Sequence, residues 1–311
     1  MINIPNQDSN KNSFNARFKE CDFSWGARND RLSGKFFYLP FRDGEVTKNE
    51  FVEYLVAEAI NYAVSYVRRE EKHNSSTPSS LSSLIELKKE VKNLFVNTKT
   101  AGEFGELIVY LILRDCFDAP QLVTKMSLKT SGGIPYHGAD GLHVGISGEN
   151  LLLYFAESKV HHDENPNAAI KEAIKSAKTI ANNEIIKNKT DGAKDFEINL
   201  IDRHFSLPKC SEEIKKQILK FLNPLEPQSN NLKFISPCFV GFNHGFYQKM
   251  SGQNNLEELF LTEYRETIKD ATETFRQEII DQELSNKNFI FLLMPFDSII
   301  GLREAFLEKL S

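Results

Sequence analysis

The chain has 311 residues, 41% of them hydrophobic and 26% charged, a balance that excludes a disordered chain and leaves ample apolar content for a core. Its net charge of -5 excludes a protein that grips nucleic acid over its whole surface, so any such contact must be local or shared with a partner. Apolar runs such as "FIFLLM" at 289–294 are far short of the ~20 residues that cross a bilayer. The N-terminus, "MINIPNQDSNKN", has neither the basic nor the apolar region of a secretory signal. Cys21, Cys116, Cys210 and Cys238 show no CxxC or framework spacing. A reduced, cytoplasmic protein without membrane association is the expectation.

In chain order, "KFFYLPF" (35–41) reads as a strand, and 47–72 as a long helix with Thr47 as N-cap and Glu50 three residues later. The Ser-, Thr- and Pro-rich stretch 73–83 marks a boundary or mobile loop. Helices are expected over 84–96 and 101–115, then a weakly alternating strand over 122–129 and the Gly-rich "TSGGIPYHGAD" at 130–140. A hairpin over 138–159 follows, then a helix from Pro166 to Lys187. Buried strands are expected at 232–242 and 288–296, separated by a helix over 256–284, with a last helix at 298–310. Residues 188–231 carry no assigned element. The order from residue 97 onward predicts a mixed α/β domain over 96–311, preceded by an N-terminal region, 1–95, able to dock a partner.

The hairpin carries the chemistry. If Ser147 to Asn150 close it, Ile146 opposes Leu151, Val144 opposes Leu153, Leu142 opposes Phe155, and Asp140 opposes Glu157. Period-two alternation then puts Asp140, Glu157 and Lys159 at the open end of one apolar face. Two opposed carboxylates repel, and a bound cation is the natural compensator. Upstream, Glu103 and Glu106 lie one turn apart on the nearly all-apolar helix "GEFGELIVYLIL", where an unpartnered buried charge costs roughly 3–5 kcal/mol. Gly102 and Gly105 permit close backbone approach there. Oxygen ligands of this kind suit Mg²⁺ or Mn²⁺, ions that polarise phosphodiesters, and a nearby lysine screens developing charge. Lys171, Lys175 and Lys178 form a basic stripe able to track DNA phosphates, opposite the inward Ile170, Ile174, Ala177 and Ala181. His137, in "YHGAD", is an accessory candidate beside Glu103. No HExxH, Walker A or GxGxxG is present, so zinc-protease, NTPase and dinucleotide chemistry have no support.

Glu106, then Asp140, then Glu157-Ser158-Lys159 at a strand end, resembles the PD-(D/E)xK nuclease signature, with Ala139 standing where that pattern has proline. More specifically, "AGEFGE", "HGAD", "AESK" and the closing "FLLMPF" resemble the HamA family, the nuclease subunits of the Hachiman anti-phage defence system. The resemblance implies a restriction-endonuclease-like fold, a mixed β-sheet flanked by helices with an N-terminal α/β extension. It also implies an Mg²⁺-dependent deoxyribonuclease acting on DNA under control of a helicase subunit, HamB. Asp140, Glu157 and Glu106 would hold the metal, with Glu103 as the other choice on the helix, and Lys159 would assist the water. Two other readings share these residues: a ribonuclease, and a nucleic-acid-binding scaffold of the same fold without turnover.

Overall fold

The structure, a computed structural model, describes residues 3–6, 8–25, 31–64, 69, 80–96, 102–123, 140–181, 212–249 and 255–310. Among these residues one mixed sheet of seven strands organises the chain, in the order β1-β2-β9-β8-β7-β6-β5. Four strands are parallel: β2 (Leu32–Tyr38), β7 (Asn150–His161), β8 (Leu232–Asn243) and β9 (Asn288–Phe296). Antiparallel strands complete the two sides, β1 (Lys19–Glu20) against β2, and β6 (Gly141–Ser147) then β5 (Gln121–Val123) beyond β7. A separate ribbon pairs β3 (Phe41–Arg42) with β4 (Glu45–Val46).

Helices cover both faces, which is why the parallel strands read as continuous apolar runs. On one face pack α1 (Lys11–Arg17), α2 (Lys48–Ala63), α3 (Ser80–Val96), α4 (Gly102–Cys116) and the C-terminal α9 (Ile299–Lys309). On the other, α5 (Asn167–Ala181), the short α7 (Phe246–Lys249) and α8 (Leu256–Asp281) cover the parallel strands, while α6 (Glu212–Leu222) covers the hairpin. None of these helices is long and apolar enough to cross a membrane.

The N-terminal residues are built into this body. β2 pairs with β9, and one core joins Phe37, Phe51 and Leu55 to Phe104, Leu107 and Met294. The N-terminal α/β portion is therefore part of the central sheet and its core, on both sides of residue 95.

Several elements depart from the sequence reading, each for a local reason. Thr47 occupies the N-cap position of α2, but its hydroxyl donates to the Pro40 carbonyl (3.0 Å) instead of accepting a helix N–H, and Glu50 pairs with Arg42, so no capping box forms. α2 ends at Ala63, where the backbone of Val64 turns extended and its N–H closes the last turn on the Ile60 carbonyl. α3 starts at Ser80, inside the stretch expected to be a loop, once Pro78 is passed. α6 fills the unassigned stretch with an amphipathic pattern, Ile218 and Phe221 packing on Leu142, Val144 and Leu153.

Candidate active site

The hairpin closes as its residues dictate. Ser147 pairs with Asn150, and Gly148 takes a positive φ (+60°) at the first turn position, where a side chain would be strained. Ile146–Leu151, Val144–Leu153 and Leu142–Phe155 then oppose one another, and Gly141–Ala156 brings the open end into register. One residue further out, the Asp140 N–H donates to the Ala156 carbonyl (2.8 Å), and the Ser158 N–H donates to Asp140 Oδ2 (2.9 Å). Asp140 is thereby fixed across from Glu157.

Glu157 is 5% exposed, and Lys159 Nζ lies 3.5 Å from its Oε2. Burial pushes the Glu157 carboxyl up to about 8, the negative charge of Asp140 pushes in the same direction, and Lys159 opposes both. Ionising Glu157 would therefore add a second negative charge beside Asp140, which the single Lys159 ammonium does not offset. Cys238 stands beside Glu157 on β8, its thiol pushed up by burial and by the Glu157 charge.

Glu106 stands on α4, which packs on the opposite face of β7. α4 sits close on Ser158 and Val160, whose side chains alternate with Glu157 and Lys159. A Cβ at Gly105 would lie 2.3 Å from Ser158 Oγ and 2.4 Å from Val160 Cγ2, so that glycine sets the helix height. Glu106 is 7% exposed and accepts a 2.7 Å hydrogen bond from the Tyr62 hydroxyl of α2. Its charge contributes to the upward shift of Glu157. Glu103, one turn earlier, is buried on the same helix.

The other candidates divide. Lys171 and Lys175 are exposed on α5, whereas Lys178 is half-buried and donates to Gln282 Oε1 (3.1 Å). Ile170, Ile174 and Ala177 face the core, as their spacing predicts. His161, two residues past Lys159 on the same face, has Nε2 3.2 Å from Glu172 Oε2. His137 lies outside the described residues. Tyr62 is absent from the sequence reading; the available signal was Glu58 and Tyr62, polar groups one turn apart on the buried face of α2. An open groove of about 490 Å³ lies between α6 and the hairpin turn, lined by Ile146, Glu149, Lys220 and Phe221, at the end of the hairpin away from Asp140.

A hard divalent ion is tested by the donors present. Among the described residues no group of three or more His, Cys, Asp or Glu side chains is placed to hold a metal ion. Mg²⁺ binds through one or two carboxylates, keeping waters and substrate phosphates for the rest. Asp140 and Glu157 fit that description, with all-oxygen donors and a paired ionised form that a cation would relieve.

Fold and site together define a mixed α/β protein with a half-buried Asp140 at the open end of a hairpin, across from a buried Glu157 that is followed by Lys159 in the C-terminal half of a central strand. The family model of HamA matches residues 12–310, so the chain belongs to the HamA family, and with it to the Hachiman antiviral defence system. A search of curated proteins finds no match.

Proposed function

We propose that the chain is the metal-dependent DNA nuclease effector of its defence system, hydrolysing phosphodiester bonds under the control of a helicase partner. The observation that carries this reading is the register of the hairpin, which sets Asp140 across from Glu157 with Lys159 against Glu157. Membership of the HamA family supports the defence role and the helicase partner.

Asp140 and Glu157 would hold Mg²⁺ or Mn²⁺, with Glu106 contributing from α4. When bound, the ion supplies Lewis-acid polarisation of the phosphodiester and lowers the pKa of the attacking water. The Ser158 N–H orients Asp140, which otherwise could swing away from Glu157. Glu157 must lose its proton to ligate, so ion uptake releases a proton wherever burial keeps the carboxyl neutral. Lys159 screens Glu157 in the resting site and is placed to stabilise negative charge developing on the phosphate. Lys171 and Lys175 would follow the backbone of the substrate alongside.

The test is cleavage of matched DNA and RNA substrates by the chain with and without its helicase, in Mg²⁺ and in EDTA. DNA cleavage that needs Mg²⁺ and disappears in Asp140→Asn and Glu157→Gln supports the reading. Preferential RNA cleavage would replace the substrate, and binding without turnover would leave a scaffold.

A further inference from the structure

The C-terminal half of β7 presents a row of side chains toward α5. Residues Glu157 to His161 run against Cys238 to Phe242 without a bulge, so Glu157, Lys159 and His161 alternate onto one face. Ser158 and Val160 meet α4 on the other. Cys238, Val240 and Phe242, the partners of the row on β8, belong to the core that α5 covers. His161 closes the strand, and its Nε2 lies 3.2 Å from Glu172 Oε2 of α5. A carboxylate only accepts, so Nε2 carries a hydrogen and donates. Glu172 is the looser partner, its side chain 57% exposed against 23% for His161. An exposed pair of this kind contributes little to stability, so the carboxylate can leave at small cost. Lys159 is arranged alike, with Nζ 3.5 Å from Glu157 Oε2. Each donor of the row thus holds a carboxyl oxygen in the free chain, which shows that an acidic oxygen fits against it.

Two residues of a strand advance by about 6.6 Å, close to the step between neighbouring phosphates along one nucleic-acid strand. With one phosphate at Glu157 and Lys159, its neighbour comes to His161. We propose that His161 is a substrate-binding residue that donates from Nε2 to the phosphate next to the scissile one, and that Glu172 holds that place in the free chain. The inference rests on the nuclease reading above and deepens it, because it runs the substrate strand along β7. A hydrogen bond to a charged group is worth about 10-fold or more in affinity.

The experiment is binding of a fluorescein-labelled DNA oligonucleotide to the full-length chain, read by anisotropy at low salt in EDTA so that no cleavage intervenes. Thermal melts of each variant accompany it. It compares wild type with His161→Ala, Glu172→Ala and the double variant. His161→Ala is expected to bind about 10-fold more weakly. Glu172→Ala is expected to bind about 2- to 5-fold more tightly, and that gain should vanish in the His161→Ala background. Opposite signs mark competition for one donor, whereas a purely structural pair would suffer alike from losing either member. Wild-type affinity in His161→Ala overturns the proposal, as does Glu172→Ala binding no more tightly than wild type. A gain that persists undiminished in the double variant also overturns it, because Glu172 then only repels DNA at a distance. Glu172→Ala changes an exposed side chain and decides the matter alone if His161→Ala does not fold. A wild-type chain that binds no oligonucleotide at low salt overturns it as well. The nuclease reading is judged separately, by Mg²⁺-dependent cleavage with the helicase complex of wild type against Asp140→Asn. Cleavage that needs Asp140 leaves that reading standing when His161 fails; cleavage that does not need it removes both.

Discussion

Glu157 is held away from water beside another carboxylate, and its ionisation opposes folding when no cation is present. Its folded-state pKa, about 8, lies above the usual carboxylate value. The stabilising contribution of the neutral form is therefore complete below the unfolded pKa and is lost as pH rises through about 8. Glu157→Gln should raise the stability of the metal-free protein at pH 9 by on the order of 1–3 kcal/mol and change it little at pH 5. Melts in EDTA at both pH values measure this, and an equal effect at the two would contradict it. Asp140 needs the asparagine and not the alanine variant, because alanine also removes the acceptor for the Ser158 N–H. His143 behaves in the opposite sense. It is fully buried with Nδ1 2.8 Å from the Ala119 carbonyl, and burial lowers its pKa to about 4. That stability is present above the unfolded pKa and disappears as pH falls toward 4. His143→Asn, which retains an N–H donor, should lose up to about 3 kcal/mol less than wild type between pH 7 and pH 4. Acid unfolding curves of the two proteins supply the comparison, and superimposable pH dependence would refute the assignment.

At the scale of elements, α4 joins the sheet to α2 and is the least tolerant part of the site. Gly105→Ala would force α4 off Ser158 and Val160, and a loss of at least 1–3 kcal/mol is expected by roughly the usual cost of overpacking. Urea unfolding reads the change, and a loss within about 0.5 kcal/mol would show that α4 can shift freely. Near the other end of α4, Arg114 is 1% exposed and pairs with Glu58 (2.5 Å) and Asp115 (2.6 Å). Asp115 in turn accepts from Ser9 Oγ and the Asn10 N–H, strapping the N-terminal segment to the helix. Arg114→Met would leave two buried carboxylates without their counterion, at a cost of about 3–5 kcal/mol. A chemical denaturation midpoint close to wild type would rule that out. The elements legible in the sequence share a cause. The hairpin register followed from alternation and a glycine turn, and the burial of α4 from its unbroken apolar run. What was not legible depended on distant partners. Thr47 carried a helix-start signal, but tertiary contacts with Pro40 redirected its hydroxyl. The hydrogen bond from Tyr62 to Glu106 spans 44 residues, and the polar pair on the buried face of α2 does not name that partner.

At the scale of the whole molecule, the N-terminal strands and helices are structural members of the sheet and its core. Removing residues 1–95 would take β1 to β4 and α1 to α3 with it, so that truncation tests folding before it tests docking. Surface substitutions are the appropriate probe of partner binding. With a net charge of -5 and the exposed Lys171 and Lys175 on α5, the chain alone should bind DNA weakly, and tethering to a DNA-holding partner would supply the effective concentration. Neutralising Lys171 and Lys175 together should flatten the salt dependence of DNA binding by the complex while leaving co-purification with the helicase intact. The tethered pair can then be asked the decisive question. Single-turnover cleavage of duplex DNA by the helicase complex, in Mg²⁺ and in EDTA, with wild-type chain and with Asp140→Asn, tests the central claim most directly. The account predicts Mg²⁺-dependent cleavage by wild type and none by Asp140→Asn; cleavage by Asp140→Asn at the wild-type rate would contradict it.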